Sequence, residues 1–195
     1  ITVPFDQRGY MNGLVNTWFD RHLRGENTDI AQSNTYLKQR EEFRTEEQFP
    51  PEDTEFVTYS LGNAEANGDD RIEQWSWWYD SNVTYTWDVR DRAEWYGTPQ
   101  IDLSLDVHGP EARIFVNMLR NGEPINGIGE AYRVEGSGVS RISFEFPTLQ
   151  RFVSPSDTLG LQIEVSSPYY LDSRESDGVT IRPGESSVNL PQRPR

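Results

Sequence analysis

Two different periods of apolar positions divide the chain. Over residues 9–25, GYMNGLVNTWFDRHLRG, the positions Met11, Leu14, Val15, Trp18, Phe19 and Leu23 recur at three- and four-residue steps. This spacing predicts an amphipathic helix with one apolar stripe, and Gly25 stands where such a helix stops. Trp18 and Phe19, side by side on that stripe, need a large surface to cover them. Residues 26–55 keep no period: a polar stretch leads to a candidate strand at TYLKQ, the charged EEFRTEEQ and the turn-forming FPPEDT. They read as a connector wrapping a surface.

From residue 56 onward the period is two. VTYTWDV (83–89) puts Val83, Tyr85, Trp87 and Val89 on one face, and IDLSLDV (101–107) does the same with Ile101, Leu103, Leu105 and Val107. RISFEF (141–146) and LGLQIEV (159–165) repeat the pattern, so these are half-buried strands of antiparallel sheets. ARIFVNML (112–119) is apolar on both faces and suits a central strand. HGPE, RNGEP, EGSG, SPSD and SDG supply turn chemistry between the runs. About eight strands at this spacing predict a mainly β chain, an antiparallel β-sandwich or jelly roll. The expected division is helix and connector over 1–55 and sandwich over 56–195, with the tail PQRPR frayed.

RIEQWSWWYD (71–80) stands apart by its rings. If the segment is extended, Trp75, Trp77 and Tyr79 share one face and Trp78 points the other way. An inward face is the favoured reading for the first three, because large rings usually supply core area. Trp78 then lies bare, meets a surface outside this chain, or is covered by the helix; a coplanar pair with Trp77 or Trp95 would make a sugar platform.

Composition narrows the function classes. Lys and Arg total 18 against 32 Asp and Glu, a net charge of −14, and Lys38 is the only lysine. Nothing here could displace counterions along a phosphate backbone, which argues against nucleic-acid and acidic-membrane partners. An acidic excess almost without lysine suits a protein kept soluble in concentrated salt, so most carboxylates serve solvation. Cysteine is absent, no run has the length of a membrane span, and the opening ITVPFDQ lacks signal-peptide features. That opening suggests a processed product or an excised piece of something longer.

Catalytic motifs are missing where they would be needed. No G-x-S-x-G elbow occurs; GSGVS (136–140) has the wrong order and reads as a hairpin turn. His22 near the helix end suits the dipole, and His108 opens a turn, so neither has a visible partner for general-base work. Zinc ligands are too few. Structural calcium has candidate oxygens in Asp69, Asp70, Asp157, Asp172, Glu175 and Asp177, but not at the spacing of a calcium loop, and so acidic a chain produces such clusters by composition. No cofactor is expected. The same objection applies to a glycosidase carboxylate pair, no phosphate-cradling glycine loop is present, and NVT (82–84) is a formal glycosylation acceptor only.

The order of features carries a resemblance. A helix bearing NTWFDRHLRGEN precedes the extended TYLKQREEFRTEEQFPPEDTEFVTYSL, then DVHGPEARIFVNMLRNGEPINGIGEAYRV and FPTLQRFVSPSDTLGLQIEVSS. This resembles the C-terminal part of the X-Pro dipeptidyl-peptidase and cocaine-esterase group of α/β-hydrolases. Trp18, Asp20, Leu23 and Gly25 match its last catalytic-domain helix with slightly different steps, and Phe43, Phe49, Pro50 and Pro51 look like its connector, with phenylalanine where tryptophan is common. Asp106 to Val116 and Leu161 to Ser167 resemble strands of its closing galactose-binding-like jelly roll. In that group serine, aspartate and histidine lie outside this region, so no triad residue carries over. The resemblance implies a non-catalytic accessory module that packs in cis on a hydrolase domain, shapes its active-site entrance and supports oligomerisation. Trp18 and Phe19 would then be interface. Two other readings stay open: a free-standing carbohydrate-binding jelly roll, and an assembly protein from a high-salt organism.

Overall fold

A computed structural model describes residues 5–30, 33–37, 42–73, 82–125, 129–166 and 178–194. The chain separates into two compact units, Ile1–Glu52 and Asp53–Arg195. The first holds α1 (Phe5–Arg24) and an antiparallel pair, β1 (Ser33–Leu37) and β2 (Glu42–Glu46). α1 ends as the sequence predicts: Gly25 adopts φ +71°, and the Glu26 amide turns back to the Asp20 carbonyl at 3.0 Å, satisfying one of the orphaned carbonyls of the last turn. β2, EFRTE, is a strand inside the charged stretch read as connector. Arg44 and Glu46, two positions apart and therefore on one side of the strand, pair at 2.7 Å.

The second unit is the β-sandwich. Its strands are β3 (Glu55–Ser60), β4 (Glu65–Asn67), β5 (Arg71–Ile72), β6 (Asn82–Asp88), β7 (Ala93–Gly97) and β8 (Gln100–Val107). They continue as β9 (Glu111–Arg120), β10 (Glu123–Pro124), β11 (Glu130–Glu135), β12 (Gly138–Glu145), β13 (Leu149–Val153), β14 (Thr158–Glu164), β15 (Val179–Ile181) and β16 (Ser187–Pro194). One sheet runs β10-β9-β14-β6-β4, with β11 also on β9; the other runs β13-β7-β16-β8-β15-β5, with β12 on β8 and β3 on β16. All pairings are antiparallel.

The inward faces are those the alternation selected. Val83, Tyr85, Trp87 and Val89 from one sheet and Ile101, Leu103, Leu105 and Val107 from the other are buried in one core with Leu159, Leu161, Ile163 and Val165. Burying each such aliphatic or aromatic side chain contributes about 1.5–3 kcal/mol, which makes this layer the main source of stability. β9 is central, between β14 and the β10/β11 side, and its second face is also closed: Phe115 and Leu119 are buried beside Ile114, Val116 and Met118. The RNGE turn between β9 and β10 is a two-residue hairpin in which Asn121 and Gly122 both take positive φ, 54° and 79°.

Two expectations about this unit need correction. GSG (136–138) is not a hairpin: β11 pairs with β9 and β12 with β8, so the chain changes sheets there. Tyr132 of β11 and Phe144 of β12 stack across that crossing at 3.9 Å. The tail is not frayed, since β16 runs through it, with Val188 and Leu190 buried. Its prolines did not forbid a strand because Pro191 falls where β16 passes from β8 to β7 and Pro194 at its end. β7, AEWYG, is buried along its whole length and therefore shows no alternation to read.

Candidate functional site

The apolar stripe of α1 is open to solvent. Trp18 is 47% exposed, Phe19 44% and Leu23 72%, and Tyr10, Met11 and Val15 are exposed as well. Trp18 meets Phe19 edge-on at 5.3 Å and the His22 ring at 4.6 Å. The segment after the helix folds back on it: Arg21 Nη1 donates to the Thr28 carbonyl at 2.9 Å and Thr28 Oγ1 donates to the Thr17 carbonyl at 3.3 Å. This brings Asp29 and Ile30 to Leu14, Val15, Thr17, Trp18 and Phe19 around a recess of about 310 Å³. A row of apolar side chains with a ready-made recess can bury a partner's side chains.

A second concavity, of about 570 Å³, lies on the sandwich. β4 ends one sheet and β3 borders β16 in the other, and the opening is lined by Val57 to Ser60 of β3, Asn63, Glu65 of β4, Thr86 to Asp88 of β6, Val89 to Asp91, and Gln192 of β16. Trp87 ties the two sheets by donating Nε1–H to the Ser60 carbonyl at 3.0 Å, and Tyr59 packs edge-on against it at 5.8 Å. Gln192 Nε2 donates to the Tyr59 hydroxyl oxygen at 2.7 Å. Burial, outweighing that bond and the nearby Arg90, pushes the Tyr59 hydroxyl above its ordinary pKa, so it stays protonated. Sequence reasoning missed this place because Tyr59 and Trp87 alternate as core residues, and the polar rim comes from four separate stretches.

The residues singled out in the sequence fall into three groups. Trp18 and Phe19 share the open face of α1. Trp95 is fully buried in the sandwich core, so the idea that it offers a ring to a ligand is corrected: β7 lies inside its sheet, between β13 and β16, and the Trp95 ring is part of the hydrophobic core cluster. Trp75, Trp77, Trp78 and Tyr79 lie outside the described residues, as do Asp172, Glu175 and Asp177.

Other titratable groups have structural partners. Asp157 is nearly sealed and accepts from Arg120 at 2.9 Å, Asn121 Nδ2 at 2.7 Å and the Ser154 amide at 2.9 Å. Burial alone would raise its pKa, but these bonds together with the guanidinium charge hold it below the usual aspartate range. Asp70 accepts from the Tyr85 hydroxyl at 2.6 Å; burial first and this carboxylate second hold that hydroxyl far above its ordinary pKa. Glu185 receives Arg141 at 2.7 Å, Ser104 at 3.2 Å and Arg182 at 3.4 Å, which lower its pKa. His108 Nε2 bonds to Thr180 Oγ1 at 2.9 Å, and the His22 ring lies tilted against Trp18. Among the described residues neither histidine is bonded to a serine hydroxyl.

No protein-family model matches the sequence. No curated protein matches it either. Solved structures do match in fold. An aminopeptidase from a marine sediment archaeon of the Thaumarchaeota aligns over 94% of this chain with a TM-score of 0.68 and 10% identity. A CocE/NonD family hydrolase from Staphylococcus aureus aligns over 93% with a TM-score of 0.62 and 12% identity, and an α-amino acid ester hydrolase over 92% with 0.57 and 12%. The fold recurs inside larger hydrolases. This chain spans less than half of those proteins, 44–45% of each. At such identities the likeness is one of architecture, and it fits a domain of a longer hydrolase chain. No described helix is long and apolar enough to cross a membrane.

Proposed function

We propose that this chain is the non-catalytic C-terminal part of a serine hydrolase of the X-Pro dipeptidyl-peptidase and acyl-esterase kind, packing in cis on the catalytic domain and shaping the entrance to its active site. The observation that carries the reading is the open apolar face of α1, with Trp18 and Phe19 nearly half exposed and Leu23 more so. An isolated soluble module gains nothing from such a stripe, whereas a helix that ends one domain and leads into the next needs it. The fold likeness to under half of several hydrolases supports the same reading. The strong acidity, −14 with one lysine, supports a high-salt setting.

The test is turnover. The purified chain should cleave neither aminoacyl-prolyl nitroanilides nor nitrophenyl esters, and joined in one reading frame to a catalytic domain of this kind it should raise that domain's solubility and activity. Hydrolysis by the chain alone that is abolished by a serine-directed inhibitor overturns the proposal.

A further inference from the structure

We propose that the open edge of β3 is a docking site for an extended basic segment of a separate polypeptide, which adds to the sheet as a further strand. Among the described residues β3 pairs with β16 alone. The ladder fixes which of its backbone groups are free. Leu61 donates its amide to the Ser186 carbonyl at 3.0 Å, in register with that pairing, so Tyr59, Val57 and Glu55 bond to β16 and the alternate residues Phe56, Thr58 and Ser60 turn their N–H and C=O away from it. Two details agree. Pro191, which has no N–H, stands opposite Phe56, and the Ser60 carbonyl, off the ladder, accepts Trp87 Nε1–H at 3.0 Å. Among the described residues no backbone group claims the outward amides and carbonyls of Phe56 and Thr58.

Other borders of the same sheet are guarded. β12 and β13 each carry an arginine within the strand, Arg141 and Arg151, and such charges blunt an edge. β3 has no charge from Phe56 to Ser60, and Phe56 and Val57 are 50% and 38% exposed. The two sides of the strand define the occupant. Val57 and Tyr59 line the cleft of about 570 Å³, where Glu65, Asp88 and Asp91 outnumber Arg90; among the described residues no hydrogen bond or ion pair engages those three carboxylates. Phe56 points to the opposite side. Alternate side chains of an added strand therefore enter an acidic cleft, which favours Lys or Arg, or lie beside Phe56, which favours apolar groups. A second copy of this chain fits poorly, because its own β3 would bring Glu55 and the same cleft acids against these.

The experiment is titration of the purified chain, read by fluorescence anisotropy, with a labelled synthetic peptide that alternates valine and lysine, beside one with glutamate in place of lysine. Saturable binding of the lysine peptide alone is expected, and in that complex amide hydrogen exchange should slow at Phe56 and Thr58 but not at Val57, whose amide already faces β16. Phe56→Pro removes an outward amide without touching the β16 ladder and should weaken binding about tenfold. Asp88→Asn combined with Asp91→Asn, which spares the backbone, should weaken it about fivefold. Val139→Ser, on β12, should leave it unchanged. No binding, equal binding of both peptides, or binding that survives both the Phe56 and the double aspartate variants overturns the proposal. So does a dimer in sedimentation that Phe56→Pro dissolves, which would give the edge to a second copy, or loss of peptide binding in the fused protein of the turnover test, which would give it to the catalytic domain. The proposal does not rest on the hydrolase-module reading, and failure of the peptide titration leaves that reading intact.

Discussion

α1 and β6 place aromatic residues with equal regularity, and the outcomes are opposite. On α1 the three- and four-residue spacing lines up Trp18, Phe19 and Leu23, and all three stand in solvent. On β6 the two-residue spacing lines up Val83, Tyr85 and Trp87, and all three are buried. Periodicity states that a face requires a partner. Whether the partner belongs to the same element set depends on topology: β6 sits between β4 and β14, facing a second sheet, while among the described residues of its own unit α1 is met by the short return through Thr28 to Ile30.

The contrast can be broken at four places. Trp95→Ala removes a fully buried ring and should lower stability by about 3–5 kcal/mol in urea unfolding; a loss below about 1 kcal/mol would mean that the core is not organised as described. Asp157→Ala should cost on the order of 3 kcal/mol, because it strands Arg120 and frees the turns that Asp157 joins. Since the folded pKa of Asp157 is depressed, its contribution is present above the unfolded value of about 3.8 and is lost as pH falls through the lower folded value. Acid unfolding of Asp157→Asn should therefore be shallower in that window than that of the native chain.

Smaller effects follow from the surface. Raising salt from about 0.1 M to about 1 M shortens the screening length from roughly 10 Å to 3 Å, and with a charge of −14 Tm should rise by about 5 °C. A flat or falling Tm would argue that the acids are not crowded enough to repel. Trp18→Ala should change the stability of the chain by less than about 0.5 kcal/mol, read in the same urea experiment as Trp95→Ala. A loss comparable to that of Trp95→Ala would show that the helix face already has its partner.

Legibility in the sequence followed how many faces of a strand are wet. β6, β8, β12 and β14 have one wet face, and their inward residues were named by alternation alone. β7 has none, so nothing in the local pattern marks Trp95 as core rather than as a ring open to a ligand. β16 was hidden by Pro191 and Pro194, whose positions are harmless only because of the partner change that the sequence does not display. The crossing at Gly136–Gly138 looked like a hairpin because turn chemistry is local, whereas sheet membership is decided by β8 and β9. The open face of α1 was legible as an unmet need. The cleft at Tyr59 and Trp87 was not, since its lining is assembled from residues up to 135 positions apart, from Val57 to Gln192.

The pairing of β3 with β16 also sets a timetable. Thr58 and Asn189, bonded at 2.6 Å, lie 131 positions apart, so at ribosomal rates of about 5–20 residues per second β3 waits on the order of ten seconds for its neighbour. Throughout that interval Phe56 and Val57 sit on an unclaimed strand edge that any second nascent chain could claim first. Production of this protein is therefore most vulnerable during synthesis, and slowing initiation, so that fewer incomplete chains coexist, should raise the soluble yield more than any substitution in the finished fold.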